Sequence, residues 1–147
     1  MKKFLLPAVA VIFGASSLNA QIFSESFDTE IPTTWTIIDV DGLASTSAQA
    51  EWASWAWNEG AGDASSSSWY DNNFTGPTND WLITPGIAIP ATGAFQVEFD
   101  ASSHEANYLE EYELLYSTTG NTVADFTEAA LLTVVDEPEA GTNRKVI

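Results

Sequence analysis

A chain of 147 residues with 21 acidic side chains, four basic ones and no cysteine carries a formal charge of −17 at neutral pH. A surface of that sign repels phosphate backbones and anionic lipid headgroups, which argues against nucleic acid and membrane surfaces as partners and favours cations; it also serves the solubility of an extracellular protein. Without cysteine there is neither a disulfide nor thiol chemistry, so a packed core or a bound metal has to hold the fold.

In chain order, Lys2 and Lys3 precede an apolar run from Phe4 to Ala15 and a small, polar stretch ending at Ala20. That is the layout of a secretory signal peptide, residues 1–20, with a domain over residues 21–147 after it. No later segment approaches the ~20 apolar residues a membrane-crossing helix needs, so membrane insertion is not expected. Period-two alternation then marks strands over residues 22–27, 34–40, 81–84, 95–100, 112–116 and 129–135. Pro85 ends the third of these, because proline has no N–H to give a ladder. Residues 60–68 and 71–79 are rich in Gly, Ser and Asn and read as long surface loops, and only residues 122–127 look briefly helical. Short strands with turn signals and no long 3.6-residue period predict an all-β fold, a β-sandwich of jelly-roll or immunoglobulin type.

Catalysis finds little support. There is no Gly-x-Ser-x-Gly elbow, phosphate-binding glycine loop or zinc spacing, and the single histidine, His104, sits in a polar stretch where an ordinary surface role is expected. Two groups of residues suit binding instead. Asp39 and Asp41, two apart and followed by Gly42, offer the hard oxygens that calcium takes, although a solvated polar turn would present the same carboxylates. Trp52, Trp55 and Trp57 lie in a loop-like region, where exposed indoles stack on sugar rings or dock protein side chains. Packing inside the sandwich is the competing use of these three, and the expected one for Trp35 and Trp81, which fall in strand patterns.

Three blocks in order carry a family resemblance. Ser24-Glu25-Ser26-Phe27 with Ile31-Pro32, Trp35 and Ile38-Asp39-Val40-Asp41-Gly42 resembles the opening of the cleaved-adhesin, or choice-of-anchor J, domains. Asn79-Asp80-Trp81-Leu82-Ile83-Thr84-Pro85 is similar to the block that follows that family's variable loops. Tyr112 to Asn121 with Asp125-Phe126-Thr127 is similar to the next. Such domains occur in secreted and surface proteins of Bacteroidetes-type bacteria, including the haemagglutinin regions of gingipain-type proteases. The resemblance implies a calcium-stabilised jelly roll, secreted or at the cell surface, that binds extracellular protein or carbohydrate without catalysis. An accessory domain of a larger secreted peptidase or glycosidase is the alternative. It also implies Glu25, near an edge where related jelly rolls hold calcium, as a third ligand beside Asp39 and Asp41. The family domain continues beyond the equivalent of Ile147, and residues 143–147 look like the start of a further strand, so the chain is expected to be a C-terminally incomplete domain.

Overall fold

The computed structural model describes residues 21–42, 58–59, 62–66, 78–103, 106–107, 109–138 and 144–147. The expected signal peptide lies outside them. Among the described residues the regular structure is all strand apart from one 3-10 turn at Val123–Asp125. Strands β1 (Thr36–Asp39) and β4 (Asp80–Ile83) pair around β2 (Asn58–Glu59) and β3 (Ala64–Ser65), which pair with each other. In the same nested manner β5 (Glu98–Asp100) pairs with β8 (Arg144–Val146), and β6 (Glu110–Leu114) with β7 (Leu132–Glu137). Every pair is antiparallel, as expected of an all-β fold. Among the described residues no ladder exceeds two strands. No helix among them is long and apolar enough to cross a membrane.

Three expected elements differ from what forms, the first being the loop expected over residues 60–68, which carries the short strand β3. Residues 22–27 form no strand and join no ladder among the described residues; Glu25 turns its carboxylate onto the chain and accepts from the N–H groups of Ser26 and Phe27, both at 2.9 Å. Phe27 then takes φ +52°, outside the extended region of a regular strand. The segment is held by its rings instead. Phe23 and Phe27 lie 6.0 and 5.0 Å from Trp35, the second edge-on as aromatic quadrupoles favour. The helical expectation at residues 122–127 shrinks to the single 3-10 turn. There Asp125 accepts from the Thr122 N–H and hydroxyl at 2.9 and 2.6 Å. Asn121 donates to the Thr36 hydroxyl at 3.2 Å, and Phe126 packs 5.3 Å from Trp81, so the turn braces the β1–β4 pair. Trp35 and Trp81 are half-buried in these aromatic contacts, in keeping with a packing role. Ile31 and Ile83 are the buried apolar residues among those described.

The β6–β7 pair carries an irregularity with a structural consequence. Glu110 opposes Glu137 and Tyr112 opposes Val134, so three steps on β7 match two on β6. The extra residue falls at Val135–Asp136, where Asp136 has φ +58°. A bulge of this kind shifts the phase of the strand. Leu132 and Val134 point inward, Val135 and Asp136 are exposed, and Glu137 turns back in to 1% exposure. There its carboxylate accepts from the Tyr112 hydroxyl at 2.9 Å and the Lys145 ammonium of β8 at 2.9 Å. Burial, and then the adjacent Glu137, push the Tyr112 phenol well above its ordinary range, so it stays protonated and donates. Because left-handed backbone strains a residue with a Cβ, Asp136→Gly is expected to stabilise the fold by about 1 kcal/mol and Asp136→Val to destabilise it. Thermal melts of the two variants check this.

Candidate functional site

The β1–β4 ladder assembles a carboxylate cluster at one end. Its register places Asp39 directly opposite Asp80, a like-charge cross-strand pair that on its own disfavours the ladder. Beyond β1 the pairing runs one step further through Val40 N–H to the Asn79 carbonyl at 3.1 Å, and the chain then turns at Gly42. Gly42 has φ +63°, which glycine adopts without strain. The turn is fastened by the acids themselves. Asp39 accepts from the Gly42 N–H at 2.6 Å, and Asp41 reaches across the ladder to the Asn79 N–H at 2.6 Å. Asn79 in turn accepts from the Trp81 indole at 2.6 Å, which fixes the residue beside the cluster.

Carboxylate oxygens of Asp39, Asp41 and Asp80 come to lie within 4.8 Å of one another. Asp80 registers the crowding. Its pKa is pushed up to about 6, first by burial and then by the charges of Asp41 and Asp39, against a hydrogen bond from the Ser66 hydroxyl that pulls it down. Two things relieve such a group: a proton on Asp80 near pH 6, or a cation among the three oxygens. The donor set consists of hard, anionic oxygens from three side chains, which fits calcium and fits no soft metal, since neither sulfur nor imidazole takes part. Carbonyls and water would have to complete the six to eight oxygens calcium takes.

Of the ligands expected from the sequence, Asp39 and Asp41 are brought together and Glu25 is not among the converging three. Its carboxylate is engaged with the backbone of its own turn. Asp80 was the residue to find. It is the second residue of the Asn79–Pro85 block, and the signal for it was indirect: an antiparallel pairing of residues 36–39 with 80–83 puts it opposite Asp39. Trp52, Trp55, Trp57 and His104 lie outside the described residues.

Comparison with known proteins bears on the whole chain. The family model of the cleaved adhesin domain matches residues 20–144. Hemagglutinin A of Porphyromonas gingivalis is 34% identical over 137 residues, covering 85% of this chain and 5% of that protein. Lys-gingipain W83 of the same species is also 34% identical over 137 residues, with 85% and 8% covered. Gingipain R1 of P. gingivalis is 33% identical over 121 residues, with 74% and 6% covered. The chain thus spans less than a tenth of the length of these relatives. No solved structure matches it. The first, second and third sequence blocks, the antiparallel strands they form and the match over residues 20–144 agree, and the chain belongs to the cleaved adhesin domain family.

Proposed function

We propose that this domain is a non-catalytic, extracellular adhesion module that binds a protein or a glycan and is stabilised by calcium. The observation that carries the adhesive reading is the family match over residues 20–144, together with a relative named for haemagglutination. Acidity and the absence of a catalytic constellation in the sequence support binding over turnover. In this reading Asp39 and Asp41 hold the ion with Asp80, which takes the place the sequence gives to Glu25. The ion's work is structural: it would neutralise three crowded carboxylates and hold the Gly42 turn against β4. Contact with the partner falls to Trp52, Trp55 and Trp57, because indoles bury a large area with few torsions to freeze.

The test is a screen of the purified chain against glycan and extracellular-protein arrays, followed by Trp→Ala replacement at positions 52, 55 and 57. Each replacement is expected to weaken binding about tenfold or more, the cost of losing a well-packed aromatic anchor of roughly 2 kcal/mol. Absence of any binder would remove the adhesive reading. Unchanged affinity in all three variants would remove the tryptophans from it.

Accessory service within a larger secreted peptidase is the second reading. It is favoured by one observation, that the chain matches 8% of Lys-gingipain W83 and 6% of gingipain R1. Reading the coding sequence on both sides distinguishes the two: a peptidase domain in frame supports the second, and its absence leaves the first.

A further inference from the structure

Residues 86–97 carry no charge in a chain whose formal charge is −17. Every residue of that stretch is exposed, although Ile87, Ile89, Phe95 and Val97 are large and apolar. A lone exposed apolar side chain is ordinary, but four in one short uncharged segment suit a contact with another molecule. The stretch runs straight into β5, and its last apolar residue already belongs to the ladder: Val97 and Ile147 exchange two hydrogen bonds, of 2.8 and 2.9 Å.

That pair says which way the backbone faces. The N–H and C=O of Val97 point towards β8, so alternation along an extended chain turns those of Gln96 and Glu98 to the opposite side. Among the described residues no strand lies on that side, where β5 has β8 as its one partner. Charge is a usual guard of such an edge. Both acids of β5, Glu98 and Asp100, are tied to Arg144, and Gln96 brings no charge, so the guard is weak. The side chains add an apolar face. Phe95, Val97 and Phe99 follow one another at period two, and the Phe99 ring lies 6.3 Å from Tyr112, which marks their common face as the inward one.

We propose that this edge of β5 is a self-association surface, taken up by the same edge of a second copy of the chain in an antiparallel, two-fold pairing centred on Val97. The placement of charge selects both occupant and register. β5 is acidic towards its C-terminal end, at Glu98 and Asp100, and uncharged before it. An antiparallel copy therefore sets each acidic end against an uncharged one. Glu98 meets Gln96 of the partner subunit, Asp100 meets Ala94 of the partner subunit, and Phe95 meets Phe99 of the partner subunit. The two inward apolar faces become one, which is where cross-strand pairs contribute most. Moving the centre forward to Glu98 would set two carboxylates face to face. Moving it back would run the partner into the bend at residues 91–93, where Gly93 has φ +120°. Elsewhere two copies of so acidic a chain repel, which leaves the uncharged stretch as the place where they meet.

The experiment is sedimentation equilibrium of the purified chain over a range of concentrations. A monomer–dimer equilibrium is expected with a Kd on the order of 10–100 μM, in keeping with a small interface. The register is tested at Gln96, an exposed side chain facing Glu98 of the partner subunit. Gln96→Glu creates two like-charge pairs per dimer and should weaken association about tenfold, whereas Gln96→Lys creates two opposite pairs and should tighten it. A monomer at every concentration up to about ten times the expected Kd overturns the proposal. Variants that leave the Kd unchanged, or move it in the same direction, overturn it as well. A second measurement uses the absence of cysteine. Val97 lies on the two-fold axis as a non-hydrogen-bonded pair, whose Cα spacing of about 4.5 Å is within the range a disulfide spans. Under mild oxidation Val97→Cys should link into a covalent dimer at least about tenfold faster than Thr118→Cys, an exposed position away from β5. Equal rates overturn the proposal.

Discussion

Lys145→Met is expected to cost the fold about 3–5 kcal/mol, the penalty for stranding a buried charge. Glu137 retains 1% of its exposure and Lys145 is its cation partner among the described residues, so methionine leaves the carboxylate with the Tyr112 hydroxyl as its remaining side-chain partner among them. Against a total stability on the order of 5–15 kcal/mol, a loss of that size lowers the melting midpoint by roughly 10 °C or unfolds the chain. The reverse truncation is milder. In Glu137→Gln the amide still accepts from Tyr112, and the stranded ammonium belongs to a side chain 23% exposed, which reaches water by a small rotation. The double variant Glu137→Leu with Lys145→Met should recover most of the loss, since a buried pair replaced by apolar groups is often neutral. Denaturant melts of the three variants check the order Lys145→Met below Glu137→Gln, with the double variant above Lys145→Met. An exposed-pair effect would instead leave all three within about 1 kcal/mol of the parent.

That pair also marks where the sequence stops being legible. Alternation through Leu132, Thr133, Val134 and Val135 reads correctly as a strand, and its continuation puts residue 136 inward and residue 137 outward. The bulge reverses this by one step, and nothing in the composition of Val135-Asp136 announces a left-handed aspartate. Residues 22–27 fail for a related reason. Their alternation is strand-like, but the Glu25 carboxylate takes the backbone N–H groups of Ser26 and Phe27, and a side chain that bonds locally competes with a ladder. Strands with clear alternation and a stop signal fared better: β4 ends at Ile83 just ahead of Pro85, and β1 lies within the expected 34–40 stretch. For the site, Asp39 and Asp41 were legible because both lie on one short segment before a glycine. Asp80 was not, because a pairing 41 residues away is a fact of register rather than of local pattern.

Calcium is expected to raise the melting midpoint, and the same three carboxylates set the sign of its pH dependence. A ligand that binds only the native state stabilises it by about 2.7 kcal/mol at a hundredfold excess over Kd. Without metal the behaviour runs the other way. Asp80 has a folded pKa of about 6, raised above the ordinary carboxylate value of 3.8, so between those values the native state holds a proton the unfolded chain has released. Stability then rises as pH falls from 7 towards 4, and the ionised carboxylate is a burden above pH 6. The side chain is only partly buried, so solvent screening reduces that burden to about 1 kcal/mol. Asp80→Asn removes it: the metal-free variant should melt higher than the parent at pH 7 and show less dependence on pH down to 4. It should also lose most of the calcium shift, because an amide oxygen brings no charge to the ion. In the parent the calcium shift should be largest at pH 7 and fade below pH 6, as protons compete for the same oxygens. A substitution that stabilises the empty domain while abolishing its response to calcium separates a cation site from a solvated acidic turn, since a turn without a site loses nothing when calcium is chelated. Equal midpoints in calcium and in chelator would leave the cluster as a proton-relieved turn, with the family match as the remaining support for adhesion.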